Sequence, residues 1–180
     1  MKNILWSYEF KVLSLIGQGV RKFLHGQTSV DILSVKKEIP IKACWLSTSG
    51  KVLSILEIVF NDQGADICVL SGELKDLFEG FNKVIFPFDD VEIDCYKKII
   101  RVQEITNKTS WKKSKVQWIY PNQSFPEELK NHSLATPDQV LNWRISQGLF
   151  LSKDEINDEL NPFELGLYDL VNTNKGCYLG

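Results

Sequence analysis

The chain has 180 residues, of which 43% are hydrophobic and 24% charged, and 21 basic side chains against 23 acidic ones leave a net charge of -2. This composition is typical of a globular protein with one large domain or two small ones, and it predicts neither general nucleic-acid binding nor membrane binding. The most apolar run, residues 52–60, contains Glu57 and is far shorter than the roughly 20 residues that span a bilayer. No secretory signal is visible at the N-terminus, so we expect a cytoplasmic protein.

Alternating apolar residues predict the first half of the fold. Residues 9–16 predict a strand, and residues 20–27 have the spacing of a short helix. Residues 43–47 and 52–60 flank a Thr-Ser-Gly-Lys turn and predict a β-hairpin, which residues 66–70 extend into a three-stranded antiparallel meander.

A second helix is predicted after Ser71. Its apolar residues share one side, as the spacing of Leu74, Leu77, Phe78 and Phe81 shows. Strands are predicted at 91–96 and 99–105, and another at 115–120. The polar, lysine-bearing stretch 106–114 is the predicted crossover between two subdomains.

Thr136 followed by proline and an acidic residue predicts the start of a third helix. We expect this helix to carry Val140, Leu141 and Ile145 inward and to stop at Gly148. Antiparallel hairpins interspersed with helices predict an α+β fold.

The cysteines lie at positions 44, 68, 95 and 177 without any close pair, so no metal site is expected. Cys44, Cys68 and Cys95 lie in or beside apolar strand-like runs and are predicted to be reduced core residues. Only Cys177 has polar and glycine neighbours.

The richest chemistry lies in the last residues, where Lys175, Gly176, Cys177, Tyr178 and Gly180 follow one another closely. A nearby ammonium group or a helix N-terminus stabilises a thiolate, which is the reactive form of cysteine. This spacing is compatible with Cys177 as a functional thiol assisted by Lys175. The alternative is an ordinary cysteine in a solvent-exposed loop.

This segment resembles the Lys-Gly-Cys-Tyr/Phe-x-Gly-Gln-Glu box of the folate-binding YgfZ family, relatives of the glycine-cleavage T-protein (aminomethyltransferase). Further segments are similar to the family along nearly the whole chain. They comprise 17–31 with Phe-Leu-His-Gly-Gln, the Gly-Lys hairpin at 45–52, Arg144 with Gly148, and the Asn-Pro-Phe-Glu run at 161–164.

The resemblance implies a folate-binding domain spanning residues 1–180, built of two interlocked ferredoxin-like halves, with the family's C-terminal barrel absent. It implies tetrahydrofolate as the ligand and a role in iron–sulfur cluster assembly or repair, including in enzymes that modify tRNA, with any cluster held only transiently. Iron–sulfur proteins are then the expected partners. Cys177 and Lys175 are the expected catalytic residues, and Arg144, Tyr178, Gly176 and Gly180 the expected folate-binding residues.

Two other functions remain open: a folate-dependent aminomethyl or one-carbon transferase, and a non-enzymatic module that docks a protein or tRNA. Many T-protein relatives carry a glutamate where this chain has Ser146, and a hydroxyl cannot accept the bidentate pair that a carboxylate accepts, which disfavours aminomethyl transfer. His25 and His132 are interpreted as structural, and Trp143 as a core residue. The lysines beside Trp111 are interpreted as a solvated face.

Overall fold

The computed structural model describes residues 4–179, and the chain divides into two compact units. The first unit comprises residues 4–11 and 98–150, and the second comprises residues 12–97 and 151–179. Antiparallel strands and a few helices confirm the α+β class. The interlocked ferredoxin-like arrangement stays a prediction, and residues 106–114 lie within the first unit.

The second unit is built on antiparallel strands. β1 (Ile4–Ile16) enters it at Val12, and β2 (Ile41–Leu46), β3 (Val52–Phe60) and β4 (Gly64–Ser71) follow. Their order is β2-β3-β4-β1, with every neighbouring pair antiparallel. The predicted meander is therefore confirmed.

Two helices share the main apolar cluster with these strands. α1 spans Val20–Gln27 and α2 spans Leu74–Val84. In α2, Leu77 and Phe81 are fully buried, and the Phe81 ring meets the rings of Phe23 and Trp45 edge to face, with centroids 5.2 and 5.8 Å away. Because the apolar residues of α2 lie three and four positions apart, they fall on one side of the helix, as the sequence predicts.

The first unit contains the end of β5 (Glu92–Ile105), which pairs antiparallel with β6 (Val116–Ile119). The start of β1 pairs parallel with the short β7 (Ser133–Leu134), and α3 spans Pro137–Gln147. Single 3-10 turns complete the described chain, at Pro87–Asp89, Glu127–Leu129, Lys153–Glu155 and Tyr168–Leu170.

The prediction for β5 is wrong in two respects. Residues 92–105 form one continuous strand instead of two, and Cys95 is exposed instead of lying in the core. Its Sγ donates to Asp94 Oδ2 at 3.0 Å, and this hydrogen bond raises the pKa of the Cys95 thiol. The adjacent Asp94 and Tyr96 are exposed, and only Ile93 packs against the main apolar cluster, so the rest of this stretch of β5 stays in contact with water.

The inward face of α3 is also different from the prediction. Leu141 and Ile145 are 43% and 64% exposed, whereas Trp143 is buried as expected. The indole N–H of Trp143 donates to the Thr106 carbonyl at 3.1 Å, and its ring lies 6.1 Å from that of Trp6. A tryptophan buries more apolar area than leucine or isoleucine, so Trp143 orients the helix. Leu141 and Ile145 are each two positions from Trp143, which places them about 200° around the helix, so they face outward.

Candidate functional site at the C-terminal segment

The C-terminal segment, residues 174–179, packs against the C-terminal end of α1, within the second unit. The last carbonyls of a helix have no partner inside the helix. Here the Leu24 carbonyl accepts from the Thr28 amide and hydroxyl at 3.0 and 2.7 Å. The carbonyls of His25 and Gly26 accept from the Lys175 ammonium group and the Leu179 amide. The C-terminal segment therefore serves as a cap for this helix.

Lys175 is the centre of this cap. Its ammonium nitrogen lies 2.5, 2.6 and 2.7 Å from the carbonyl oxygens of His25, Thr28 and Val30. It also lies 4.6 Å from the centre of the Tyr178 ring, at a distance that allows a cation–π interaction. Because an ammonium group has three N–H donors, these carbonyls use all of them. The structure thus gives Lys175 a positioning role, and its expected assistance to the thiol stays a prediction.

Partial burial lowers the pKa of Lys175 to about 8 from 10.5, and the carboxylate of Asp31 opposes this shift. The charged form is disfavoured because it gives up water. The lysine therefore changes protonation in the native protein at a pH where it stays charged in the unfolded chain.

We expect the free energy of unfolding to rise with pH between about 8 and 10.5, because in this window the unfolded chain binds more protons at Lys175 than the native protein does. Urea unfolding at pH 7.5 and 9.5, compared with Lys175→Met at each pH, isolates the contribution of this residue. A wild-type chain that follows the variant across this window contradicts the expectation.

Ser29 holds the chain that leads into the segment. Its hydroxyl donates to the Leu170 carbonyl and accepts from the Cys44 amide at 2.8 Å. The Ser29 carbonyl accepts from the Asn172 amide at 2.8 Å. Ser29 is fully buried, so these bonds form away from water. This serine links β2, the end of α1 and the C-terminal segment.

Gly176 and Cys177 are exposed between these anchor points. The amide of Leu179 donates to the Gly26 carbonyl at 3.0 Å and fixes the chain beyond Cys177. A Cβ atom built on Gly176 would meet nothing within 4 Å. The thiol therefore stands on a backbone held on both sides, with open space next to it.

Two of the expected ligand-binding residues, Arg144 and Gly180, are not among the described residues of this segment. Arg144 belongs to the first unit and donates to the Leu149 carbonyl at 3.4 Å, near the end of α3. The nearby Ser146 hydroxyl donates to the Trp143 carbonyl at 2.7 Å. Gly180 lies outside the described residues. Lys175, Gly176, Cys177 and Tyr178 do lie together in the second unit.

His25 contacts two residues of the loop that follows α1. Its Nδ1 lies 3.4 Å from both the Ile32 amide nitrogen and Asp31 Oδ1. Asp31 Oδ1 also accepts from the Leu33 amide at 3.0 Å. These contacts hold the loop after α1 in the shape that receives Lys175.

A cavity of about 560 Å³ adjoins the segment, between the loop after α1 and residues 169–174. Its lining is mostly polar and comprises Val30, Asp31, Ser34, Asp169, Val171, Asn172, Thr173 and Asn174. Sequence reasoning did not single out Asp31 and Asp169 for this role. They lie 138 positions apart in the chain, and no motif connects them. Only the docking of the C-terminal segment brings them to one cavity.

A second cavity in this unit, of about 550 Å³, is strongly acidic. Four carboxylates line it, from Glu73, Asp76, Asp154 and Asp158. Across residues 4–179, no group of three or more His, Cys, Asp and Glu side chains is placed to hold a metal ion. In the same range no helix combines the length and the apolar character needed to cross a membrane.

No known family profile matches the chain, and no curated protein matches its sequence. Among solved structures, the chain is similar to the glycine cleavage system aminomethyltransferase T from Bartonella henselae, with 15% sequence identity and a TM-score of 0.47. The match covers 56% of this chain and 28% of that chain, so it spans well under half of the length of the bacterial protein.

Proposed function

We propose that this protein is a folate-binding accessory protein that supports iron–sulfur proteins through the thiol of Cys177. The observation that carries the proposal is the presentation of this thiol: Lys175 fixes the segment on α1, while Gly176 and Cys177 face solvent. A thiol on a fixed backbone can meet a cluster or a thiol of another protein with little loss of chain entropy. The resemblance of the Lys-Gly-Cys-Tyr segment to the folate-binding box supports the same function.

The cavity beside the segment suits the pterin ring of a folate. The amino-pyrimidinone edge of a pterin carries adjacent N–H donors, and a carboxylate can accept two such bonds in parallel. The Asp31 side chain is 40% exposed, and its Oδ1 accepts from the Leu33 amide at 3.0 Å and lies 3.4 Å from His25 Nδ1. Because a carboxylate has about four lone-pair sites, these contacts leave acceptor capacity for a ligand. The volume of about 560 Å³ lies in the usual range of roughly 300–1,000 Å³ for small-molecule pockets. We therefore assign the pterin to Asp31, with Asn172 and Asn174 beside it.

Asp31→Asn is expected to weaken the binding of tetrahydrofolate at least tenfold, because an amide accepts only one of the two N–H bonds and places an N–H donor against the other. Anaerobic calorimetry with the full chain measures this change. The matched control is Glu73→Gln in the second cavity, which should bind tetrahydrofolate like the wild type. Absence of binding to the wild type, or equal affinity for the wild type and Asp31→Asn, contradicts the assignment.

Cys177→Ser is expected to retain folate binding and to lose the support of iron–sulfur enzymes. A hydroxyl replaces the thiol with little change in volume, but it is not ionised at neutral pH and is a poor ligand for iron. Iron–sulfur enzyme activity in a strain that lacks the gene, complemented with each variant, measures the effect. Cys95→Ser is the control, since Cys95 is the other exposed thiol of the described chain.

Three outcomes separate the functions. Full complementation by Cys177→Ser excludes the role of this thiol but does not contradict the proposed folate site. Turnover of an aminomethyl donor with tetrahydrofolate favours the one-carbon transferase. Complementation that persists in a variant without folate binding favours a docking module.

A further inference from the structure

Two phenylalanine side chains extend into solvent from the turn after α2. Phe86 is 64% exposed and Phe88 is 100% exposed, with Pro87 between them. Burial of a phenylalanine side chain favours association, and aromatic residues, phenylalanine among them, are enriched in the buried core of protein interfaces. The second unit therefore leaves uncovered two large apolar side chains that a protein contact can bury.

The backbone of this turn is held in one shape. The Asp89 carboxylate accepts from the Phe86 amide at 2.7 Å, and the Asp89 amide donates back to the Phe86 carbonyl at 2.9 Å. The next residue, Asp90, has φ 51°, in the left-handed region. Its carbonyl accepts from the Gly19 amide at 3.0 Å, and its carboxylate accepts from the Gln18 amide at 3.1 Å. These bonds tie the turn to the loop between β1 and α1.

The loop between β1 and α1 approaches the turn so closely that two of its residues have no room for a side chain. A Cβ atom on Gly17 would lie 2.0 Å from the Asp90 carbonyl oxygen, and one on Gly19 would lie 1.6 Å from that of Asp89. A shape fixed in this way is already ordered before binding, so a partner pays little entropy to fix it. The backbone hydrogen bonds and the close approach of this loop therefore hold the two phenylalanines in their exposed positions.

The residues that follow the two rings in the chain are predominantly acidic. Asp89, Asp90, Glu92 and Asp94 lie close to them in the chain, and no lysine or arginine lies between Lys83 and Lys97. Complementary charge selects a partner and accelerates its association. An anionic lipid surface would be repelled by these carboxylates.

We propose that residues 85–94, the acidic aromatic turn, form a docking surface for a partner protein with an apolar pocket bordered by lysine or arginine. Phe88 enters the pocket and Phe86 packs at its edge, while the carboxylates face the basic side chains. This inference is independent of the folate site and of Cys177.

Photocrosslinking in the cells that carry the gene tests the surface. Benzoyl-phenylalanine at position 88 should yield a specific crosslinked protein. The same group at Tyr168, which lies in the same unit and is 64% exposed like Phe86, should not. The crosslinked peptide should lie beside lysine or arginine residues of the partner. The identified partner is then purified, and its binding to the full chain is measured by calorimetry at low and high salt.

Phe88→Ala is expected to weaken binding of that partner at least tenfold, and Phe86→Ala to weaken it less. Glu92→Gln should weaken binding at low salt and have little effect at high salt, since screening removes its contribution. Tyr168→Ala should bind like the wild type. Because these side chains are exposed, the variants should keep the wild-type unfolding midpoint.

The proposal is overturned by the absence of a crosslink above that at position 168, or by unchanged affinity in Phe88→Ala. It is also overturned if the crosslink joins position 88 to lipid, to a second copy of this protein or to another part of the same chain.

Discussion

Lys175→Met is expected to lower the free energy of unfolding by about 2–4 kcal/mol, because three backbone carbonyls lose their charged donor at once. Methionine keeps much of the length and apolar stem of lysine but has no N–H group. Urea unfolding at pH 7 measures the change. Amide hydrogen exchange at Leu179 should accelerate at least tenfold, because the segment loses its main attachment to α1.

Lys22→Met is the matched control for this variant, since Lys22 is an exposed lysine on α1 itself. It should change the free energy of unfolding by no more than about 0.5 kcal/mol, as is usual for surface substitutions. Equal effects of the two substitutions, or unchanged exchange at Leu179, show that Lys175 does not hold the segment.

Ser29→Ala is expected to destabilise the protein by about 2–4 kcal/mol. The substitution removes one hydroxyl that serves as both donor and acceptor, and it leaves the Leu170 carbonyl and the Cys44 amide without that partner in a buried site. Each buried polar group left unsatisfied typically costs about 1–3 kcal/mol. Thermal and urea unfolding both report the loss.

Ser34→Ala provides the comparison, because Ser34 lies in the same connection between α1 and β2 but is exposed. Its unfolding midpoint should stay within experimental error of the wild type. If Ser29→Ala behaves in the same way, water replaces the lost hydroxyl and the serine is not a structural link.

The variants Lys175→Met and Ser29→Ala also test the candidate site. Both substitutions act on the attachment of the C-terminal segment, so each should also reduce the support of iron–sulfur enzymes if a fixed Cys177 is required. Cys177→Ser should reduce that support without loss of stability. The difference separates the position of the thiol from its chemistry.

Local pattern was sufficient for the hairpin at β2 and β3 and for the buried side of α2. In both cases the apolar spacing matches the period of the element, and the turn residues fix where the chain reverses. The start of α3 was also predictable: the Thr136 hydroxyl accepts from the Gln139 amide at 3.3 Å, and the Thr136 amide donates to Gln139 Oε1 at 2.9 Å.

The wrong predictions for the inward side of α3 and for Cys95 have the same physical origin. An apolar residue in a helix or strand is buried only where another element covers it, and spacing along the chain does not specify that element. Leu141 and Ile145 face outward because Trp143 determines which side of α3 is covered. Cys95 is exposed for the same reason, since its part of β5 carries exposed residues on both faces.

The sequence by itself determined that Lys175, Gly176, Cys177 and Tyr178 form the segment richest in chemistry, because that conclusion depends only on residue type and proximity along the chain. Tertiary structure decided what each side chain does there. Lys175 reaches carbonyls about 145 to 150 residues earlier in the chain, and only chain folding can bring such groups together. The ammonium group is consequently used to hold the segment, and the thiol is left facing solvent.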